Sequence, residues 1–304
     1  MKAIVTGGAG FIGSHLVDRL LKEKNQVLII DDLSTGKRNN INAKAQFLKL
    51  DIRNKTIDNI FLSFKPDYVF HLAAQIDVRK SLKDPLLDQS INIGGTVNII
   101  KASIKARVKK LIFSSTGGAI YGDKEFADEK TIPEPMSAYG ISKLSAEHYL
   151  RVFGVWQDLN YTILRYGNVY GPRQDPYGEA GVVAIFSRAL IEGENPILYG
   201  FGKMKRDYVF VEDVVSANIL SIHKGSKETF NISSGIETSV EELLNLLQKI
   251  THKNTKPVYK PKREGEVDCI SLNVSKAKEK LGWSAQFTFE EGLKRTFNWF
   301  KDHL

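Results

Sequence analysis

One stretch near the start constrains the fold more than any other: Lys2-Ala3-Ile4-Val5-Thr6-Gly7-Gly8-Ala9-Gly10-Phe11-Ile12-Gly13. Residues 2–5 read as a short buried strand and residues 11–22 as a helix, so the glycines fall in a tight strand-to-helix turn. Two registers fit, Gly8-x-Gly10-x-x-Gly13 and Gly7-x-x-Gly10-x-x-Gly13. Either directs backbone N–H groups and a helix N-terminus at one point, where a pyrophosphate would be held. Glycine spacing alone is weak evidence. The strand before it and the helix after it give it weight over a tight turn that binds nothing.

The pattern continues. Val27–Ile30 reads as a second buried strand ending in Asp31-Asp32. Asp31 stands 18 residues after Gly13, near the spacing at which a carboxylate accepts hydrogen bonds from an adenosine ribose. That favours NAD, since a carboxylate repels the 2′-phosphate of NADP; Lys37 and Arg38 leave NADP as the lesser option. Further strands are expected at Phe47–Leu50, closed by Asp51, at Tyr68–Leu72, running into Ala73-Ala74, at Lys110–Ser114 and at Tyr161–Arg165. Helices are expected over 86–106 and 138–153. Strands alternating with helices predict an α/β fold with a parallel, doubly wound Rossmann-type sheet.

After Arg165 the pattern changes. Gly, Pro and Tyr punctuate 166–181, followed by a helix near 182–192, a strand-like run at Asp207–Val211 and a helical stretch at 212–223. An amphipathic helix over 239–251 starts at Thr238 or Ser239, with Glu241 and Glu242 in its first turn. Two more helices are expected around Leu281-Gly282-Trp283. These segments predict a smaller mixed α/β domain over the carboxyl edge of the sheet, where such folds bind ligands.

Composition narrows the function. No apolar run is long enough to cross a bilayer, and the first apolar residues belong to the first strand, so no signal peptide is expected. The single Cys269 cannot form an internal disulfide, which fits a reducing cytosol and predicts a cytoplasmic protein. The six histidines are scattered without paired ligand spacing, so no metal site is expected. The net charge of +8 suits an anionic ligand, yet lysine is spread along the chain with no basic stripe, and no nucleic-acid module is present.

Tyr139-Gly-Ile-Ser-Lys143 opens the helix at 138. Residues four apart share one face. An ammonium close to the phenol would favour its ionised form, making Tyr139 a base near neutrality. Tyr-x-x-x-Lys occurs often by chance, so context decides. Here the context is Ser114-Ser115-Thr116-Gly117-Gly118 at the carboxyl end of the fifth strand, where a hydroxyl could bind the oxygen that Tyr139 deprotonates.

At this point the chain resembles the extended short-chain dehydrogenase/reductases, nearest to the UDP-glucose 4-epimerases among them. The resemblance runs from Lys2 to about Trp299. Its motifs, in order, are Thr6–Gly13, Asp31-Asp32-Leu33-Ser34-Thr35-Gly36, Asp51-Ile52, His71-Leu72-Ala73-Ala74, Asn92, the Thr116 loop, Tyr139-x-x-x-Lys143, Arg165–Arg173, Arg206-Asp207, Asn231 and Arg263-Glu-Gly-Glu266. It implies an NAD-binding Rossmann domain over 1–165, which also receives part of 206–232, interleaved with a nucleotide-sugar domain over 166–304. Gly7, Gly10 and Gly13 would form the cofactor turn, with Phe11 and Ile12 approaching the pyrophosphate through their backbone. Asp31, with Asp32, Ser34, Thr35 and Gly36, would hold the adenosine ribose side. Asp51 and Ile52 would flank the adenine. Leu72, Ala73, Ala74, Asn92, Ser114 and Tyr166 would line the cofactor cleft, and Lys143 would bind the nicotinamide ribose. Thr116 matches the catalytic hydroxyl, with Ser115 as the fallback, beside Tyr139 as base.

For a UDP-sugar substrate, the resemblance assigns Asn168, Arg206 and Arg263 to the diphosphate, where guanidinium groups bind phosphate bidentately. Val182, Val183, Ile197 and Tyr199 match the wall around uridine, and Glu266 faces the uridine ribose. Ile270 matches a position that limits the sugar pocket. Relatives that dehydrate or decarboxylate nucleotide sugars carry an acid one or two positions after the catalytic Thr, where this chain has Gly117 and Gly118. The implied reaction is therefore inversion at the sugar C4 through a 4-keto intermediate with tightly bound NAD. Alternatives are another UDP-hexose, N-acetylated or uronic, or a reductase with exchangeable cofactor. Apolar residues on more than one face of the helices at 86–106 and 138–156 (Ile99, Ile100, Ile104, Tyr149, Leu150, Phe153, Trp156) exceed what one sheet contact buries. Relatives pair these helices in a four-helix interface, which implies a homodimer.

Overall fold

The computed structural model describes residues 1–178, 181–263 and 267–304. Strand β1 (Lys2–Thr6) leads through the glycine turn into helix α1 (Phe11–Lys22), followed by β2 (Gln26–Asp31), β3 (Gln46–Lys49), α2 (Ile57–Phe64), β4 (Tyr68–His71) and α3 (Val78–Lys83). Next come α4 (Pro85–Gln89), a π-helical turn over Ser90–Gly95, α5 (Thr96–Lys105), β5 (Lys110–Thr116), α6 (Gly117–Ile120), β6 (Lys124–Ala127), α7 (Ala138–Trp156) and β7 (Tyr161–Tyr166). The chain continues through β8 (Asn168–Tyr170), α8 (Val182–Glu192), β9 (Ile197–Tyr199), β10 (Lys205–Phe210), α9 (Val211–Leu220), β11 (Glu228–Ile232) and β12 (Glu237–Ser239). It ends with α10 (Val240–Thr251), β13 (Val258–Lys260), β14 (Cys269–Leu272) and α11 (Phe289–His303).

Seven parallel strands form the main sheet in the order β11-β7-β5-β4-β1-β2-β3. The order reverses between β1 and β4, so the glycine turn opens into the crevice such a reversal creates. The near-continuous apolar runs of β1, β2, β4 and β5 are explained by burial on both faces. One face packs Leu16, Val17 and Leu20 of α1 with Val214 and Val215 of α9 and Trp283. The other packs Ile57 and Phe61 of α2, Ile99 and Ile100 of α5, and Ala146 and Leu150 of α7. No described helix is long and apolar enough to cross a membrane.

Much of the second half builds smaller sheets, although β11 joins the main sheet and β6 of the first half joins a small one. Strands β12-β10-β14-β6 form a small sheet, β8 pairs with β10, and β9 pairs with β13. Its core gathers Val183, Phe186 and Leu190 of α8, Leu243 and Leu247 of α10, and Leu293 and Phe297 of α11. Helices α10 and α11 each begin with a complete capping box, Ser239 with Glu242 and Thr288 with Glu291.

Three of the differences from the sequence expectation have a plain physical cause. The helix expected at 86–106 widens into a π turn at Ser90–Gly95; a Cβ on Gly95 would lie 2.4 Å from Ile52 Cδ1, so the turn lies tight against the end of β3. The helix expected at 212–223 stops at Leu220, where the buried Lys110 ammonium donates to the Ser221 and Lys224 carbonyls (2.9 and 2.7 Å) and ends it. Strand β11, too mixed in polarity to be read as a strand, completes the main sheet against β7.

Trp283 docks the tail: its ring is buried and Nε1 donates to the Asp213 carbonyl (2.9 Å) and to Ser216 Oγ (3.0 Å) of α9. Trp283→Ala removes a large buried ring and should cost about 3–5 kcal/mol. A lowered urea midpoint at unchanged far-UV circular dichroism would show this.

Candidate active site

The glycine turn is sterically forced. Gly7 has φ +72°, and a Cβ there would stand 2.7 Å from the Ala73 nitrogen. A Cβ on Gly13 would stand 2.1 Å from the Gly7 carbonyl oxygen. At Gly10 the nearest atom is that same oxygen at 3.2 Å, so the middle of the turn faces open space. The 7-10-13 register therefore carries the turn. Gly10 caps α1 without a side chain, leaving the first-turn N–H groups, including those of Phe11 and Ile12, for an anionic ligand. This backbone cradle fits a dinucleotide pyrophosphate.

Asp31 is buried at the end of β2. Its Oδ2 accepts from Ala9 N (3.0 Å) and its Oδ1 from Leu33 N (2.9 Å). Burial raises its pKa above the usual carboxylate value. Gly36 packs against it, since a Cβ there would be 2.6 Å from Oδ1. Asp32 instead binds Ser34 through Ser34 N and Oγ (2.8 and 2.6 Å). Asp51 is held by Arg53, whose guanidinium bonds both carboxylate oxygens and lowers the Asp51 pKa; Ile52 is buried beside Gly95.

The cleft wall next to the turn is a chain of hydrogen bonds. Ala73 N donates to Thr6 Oγ1 (3.2 Å), which contacts His71 Nδ1 (2.7 Å); His71 Nε2 contacts Thr96 Oγ1 (2.9 Å), which donates to the Asn92 carbonyl (2.7 Å). Thr96 gives its proton to Asn92, so it accepts from Nε2–H, and Thr6 donates to Nδ1. Burial drives the His71 pKa down to about 3, keeping the ring neutral. The Asn92 side chain pairs with the Gln75 backbone at both ends (2.9 Å each) and fixes the segment after Leu72, Ala73 and Ala74.

Thr116 ends β5 and caps α6, its Oγ1 accepting from Ala119 N (3.2 Å). Tyr139 lies in the first turn of α7, capped by Ser137 and tied to α3 by Tyr139 N donating to Ser81 Oγ (3.1 Å). Lys143 is buried; its Nζ donates to the Ser114 carbonyl (2.7 Å) and sits 4.6 Å from the centre of the Phe113 ring. Burial lowers its pKa to about 8, against the opposing pull of Glu147 and Asp88. In this structure burial, reinforced by Asp88, pushes the Tyr139 phenol well above the ordinary value, where the sequence leads one to expect a lowered one. Ser114 Oγ and Tyr166 OH are 3.0 Å apart, and Asn218 Nδ2 donates to the same Tyr166 oxygen (2.8 Å).

Behind this site lies a network absent from the sequence reading. Glu147, one turn after Lys143, accepts from Ser115 Oγ (2.7 Å), from Arg165 Nε and NH2 (2.8 and 2.6 Å) and from Arg151 NH2 (2.8 Å). Ser115 is thus occupied, while Thr116 caps α6. The pKa of Glu147 lies below its ordinary value: burial opposes the charge, but the Arg165 hydrogen bonds and charge outweigh it. The repeat 139-143-147-151 along one helix face was the available signal.

On the substrate side, Asn168 Oδ1 would lie 3.3 Å from a Cβ on Gly118. Arg206 donates to the carbonyls of Lys205 (2.8 Å) and Val267 (2.8 Å). The Arg263 guanidinium stacks on Tyr199, 3.3 Å from the ring centre. Val182 is partly buried and Ile197 exposed. Val183 is fully buried in the α8–α10–α11 core, so its side chain is not available as a pocket wall. Ile270 is likewise enclosed, packed with Tyr121 and Leu272. Glu266 lies outside the described residues.

A glycine turn between the first strand and helix, a Tyr-x-x-x-Lys helix and a hydroxyl at a strand end, set on a seven-stranded parallel sheet, define a Rossmann-type fold. The family model described as the NAD dependent epimerase/dehydratase family matches residues 3–233. The chain is 44% identical over 303 residues to a putative UDP-glucose 4-epimerase of Methanocaldococcus jannaschii, covering 99% of this chain and 98% of that protein. The structure matches UDP-glucose 4-epimerase of Thermotoga maritima, solved with UDP-glucose, at TM-score 0.98 and 50% identity, covering 100% and 99% of the chains. It matches the Thermus thermophilus UDP-glucose 4-epimerase complex with NAD at TM-score 0.96 and 40% identity, covering both chains fully. The chain belongs to the NAD dependent epimerase/dehydratase family.

Breaking a buried ion pair strands the remaining charge. Glu147→Gln should therefore cost about 3–5 kcal/mol at pH 7. Because the folded Glu147 pKa is depressed, its contribution is complete above the ordinary glutamate value of 4.5 and fades as pH falls below it. Denaturant titrations of both proteins should converge below pH 4.5; a constant gap would show that charge is not the cause.

Proposed function

We propose that this protein is a UDP-glucose 4-epimerase, interconverting UDP-glucose and UDP-galactose with a tightly held NAD. The observation that carries the reading is the setting of Tyr139 and Lys143: one helix face, on a helix packed against the short one that Thr116 caps, with glycine rather than an acid at 117 and 118. The similarity to UDP-glucose 4-epimerases supports it.

NAD would be held by the Gly7–Gly13 cradle, with Asp31 at the adenosine ribose, Asp51 and Ile52 beside the adenine, and Asn92, Ser114, Tyr166 and Lys143 toward the nicotinamide. NAD, when bound, supplies the hydride acceptor and donor for the sugar C4. Tyr139 takes the proton of the 4-hydroxyl and gives it back when the carbonyl is reduced. Thr116 binds the same oxygen and holds it in line with Tyr139. The phenol is protonated without ligands, so its ionisation needs positive charge brought against it, and Lys143 is the cation on that helix face. Asn168, Arg206 and Arg263 would grip the diphosphate, with Tyr199, Val182 and Ile197 at the uridine. A grip concentrated on UDP leaves the hexose free to turn, so that either face of C4 can meet the hydride.

We also propose a homodimer in the cytoplasm. Ile99, Ile100 and Leu150 are used by the monomer core, but Ile141, Tyr149, Val152, Val155 and Trp156 of α7 and Leu86 of α4 remain exposed. Val155 and Trp156 are 89% and 70% exposed, a patch that a second copy would cover.

Purified protein given UDP-glucose without added NAD should form UDP-galactose, identified by NMR. Product from N-acetylated sugars alone, or none without added cofactor, would overturn the reading. Tyr139→Phe should lower kcat by about 10²–10⁴-fold while UDP binding persists. Light scattering at micromolar concentration should give twice the 34.1 kDa chain mass.

A further inference from the structure

One acid beside the reacting pair is not used by the chemistry above. Asp88, in α4 just before the π turn, is fully buried. Its Oδ1 accepts from Asn92 Nδ2 (2.9 Å) and Gln75 Nε2 (3.0 Å). Its Oδ2 is buried and has no hydrogen-bond partner among the described residues. A buried carboxylate oxygen left without a donor is costly, and folds rarely keep one without a use. Helix α4 packs directly on α7.

We propose that Asp88 is a positioning residue for Tyr139 and Lys143: amides anchor one carboxylate oxygen, and the other is left unneutralised so that its charge acts on the pair. Helix α4 lies against the helix that carries both groups, and the charge of Asp88 raises the pKa of each, a smaller effect than burial at Tyr139 and than burial and Glu147 at Lys143. A negative charge there favours the ammonium of Lys143 and disfavours the phenolate of Tyr139. Together with Glu147, Asp88 thus helps Lys143 stay charged against its burial, and Tyr139 holds its proton until positive charge enters the cleft. Toward Tyr139 the other groups facing the pair do not substitute for Asp88. Glu147 on α7 also favours the Lys143 ammonium, more than Asp88 does, but it is paired with Arg165 and Arg151, and His71 from β4 is neutral with both ring nitrogens engaged. Ser114 and Phe113 from β5 and Ser81 from α3 carry no charge.

The inference rests on Tyr139 and Lys143 being the reacting pair, so its test includes a readout independent of turnover. Asp88→Asn keeps an acceptor for Asn92 and Gln75 and removes only the charge. Both limbs of the kcat–pH profile should move to lower pH by on the order of one unit. In unliganded protein, the Lys143 titration followed by lysine ε-¹³C NMR should fall by a similar amount. Asp88→Glu, which keeps the charge, should leave the limbs near their original positions. A drop in kcat with the limbs and the Lys143 midpoint unmoved would overturn the proposal and leave Asp88 a structural residue. Carboxyl ¹³C NMR needs no variant: an Asp88 protonated at pH 7 in the native protein also overturns it. If Tyr139→Phe kept full activity, the catalytic assignment would fail while the Lys143 titration still decided the role of Asp88.

Discussion

The buried pair of Glu147 and Arg165 is the contact on which the geometry of the site depends. Taking two charges out of water costs several kcal/mol each, and the cost is offset only where every lone pair and proton finds a partner. Here Glu147 meets Ser115, Arg165 and Arg151, and the remaining Arg165 nitrogen NH1 donates to Tyr121 OH (2.7 Å). These partners come from β5, β7 and α7, so the pair locks the rotation of the helix against two strands. Lys143 lies one turn before Glu147, and Thr116 follows Ser115. Moving the pair would move both.

The same network extends into the second half of the chain. Tyr121 OH donates to Asn231 Oδ1 (2.9 Å), and Asn231 Nδ2 reaches the Ala127 and Asn273 carbonyls (2.8 and 3.2 Å). A few residues away, buried Asp207 gathers Ser234 N and Oγ, Gly235 N and Leu272 N. Adjacent residues on a strand point to opposite faces. Asp207 therefore pins β10 from within, while Arg206 turns outward to the 267–268 carbonyls. The candidate phosphate-binding arginine thus stands on a strand that a buried carboxylate holds fixed, a rigid mount for a charge-dependent grip.

The elements legible in the sequence were those whose residues state their surroundings locally. The glycine turn and α1 were plain because sterics at Gly7 and Gly13 admit no other residue, and the main strands because burial on both faces demands apolar runs. Ser239 and Glu242 announced α10 through their cap. What was illegible depends on partners distant in sequence. Strand β11 is defined by β7, and the π turn by Ile52. Val183 and Ile270 were matched to pocket positions, but the second core and the Tyr121 cluster enclose them. Asp88 gives no local sign at all: its meaning lies in Gln75, Asn92 and the helix packed across from it.

The two glycines after Thr116 differ in what their missing side chains do. A Cβ on Gly117 would lie 2.6 Å from Leu272 Cδ1, so a side chain there would have to displace that methyl between α6 and β14. A Cβ on Gly118 would meet only Asn168 Oδ1 at 3.3 Å and Thr116 Oγ1 at 3.9 Å, which is space inside the cleft. A carboxylate at 117 would press on Leu272, whereas one at 118 would stand between the Thr116 hydroxyl and Asn168. An acid is therefore opposed by packing at 117 and only by the choice of residue at 118. On the proposed assignment of Thr116, residue 118 is the position whose side chain would bear on redox at one carbon against elimination.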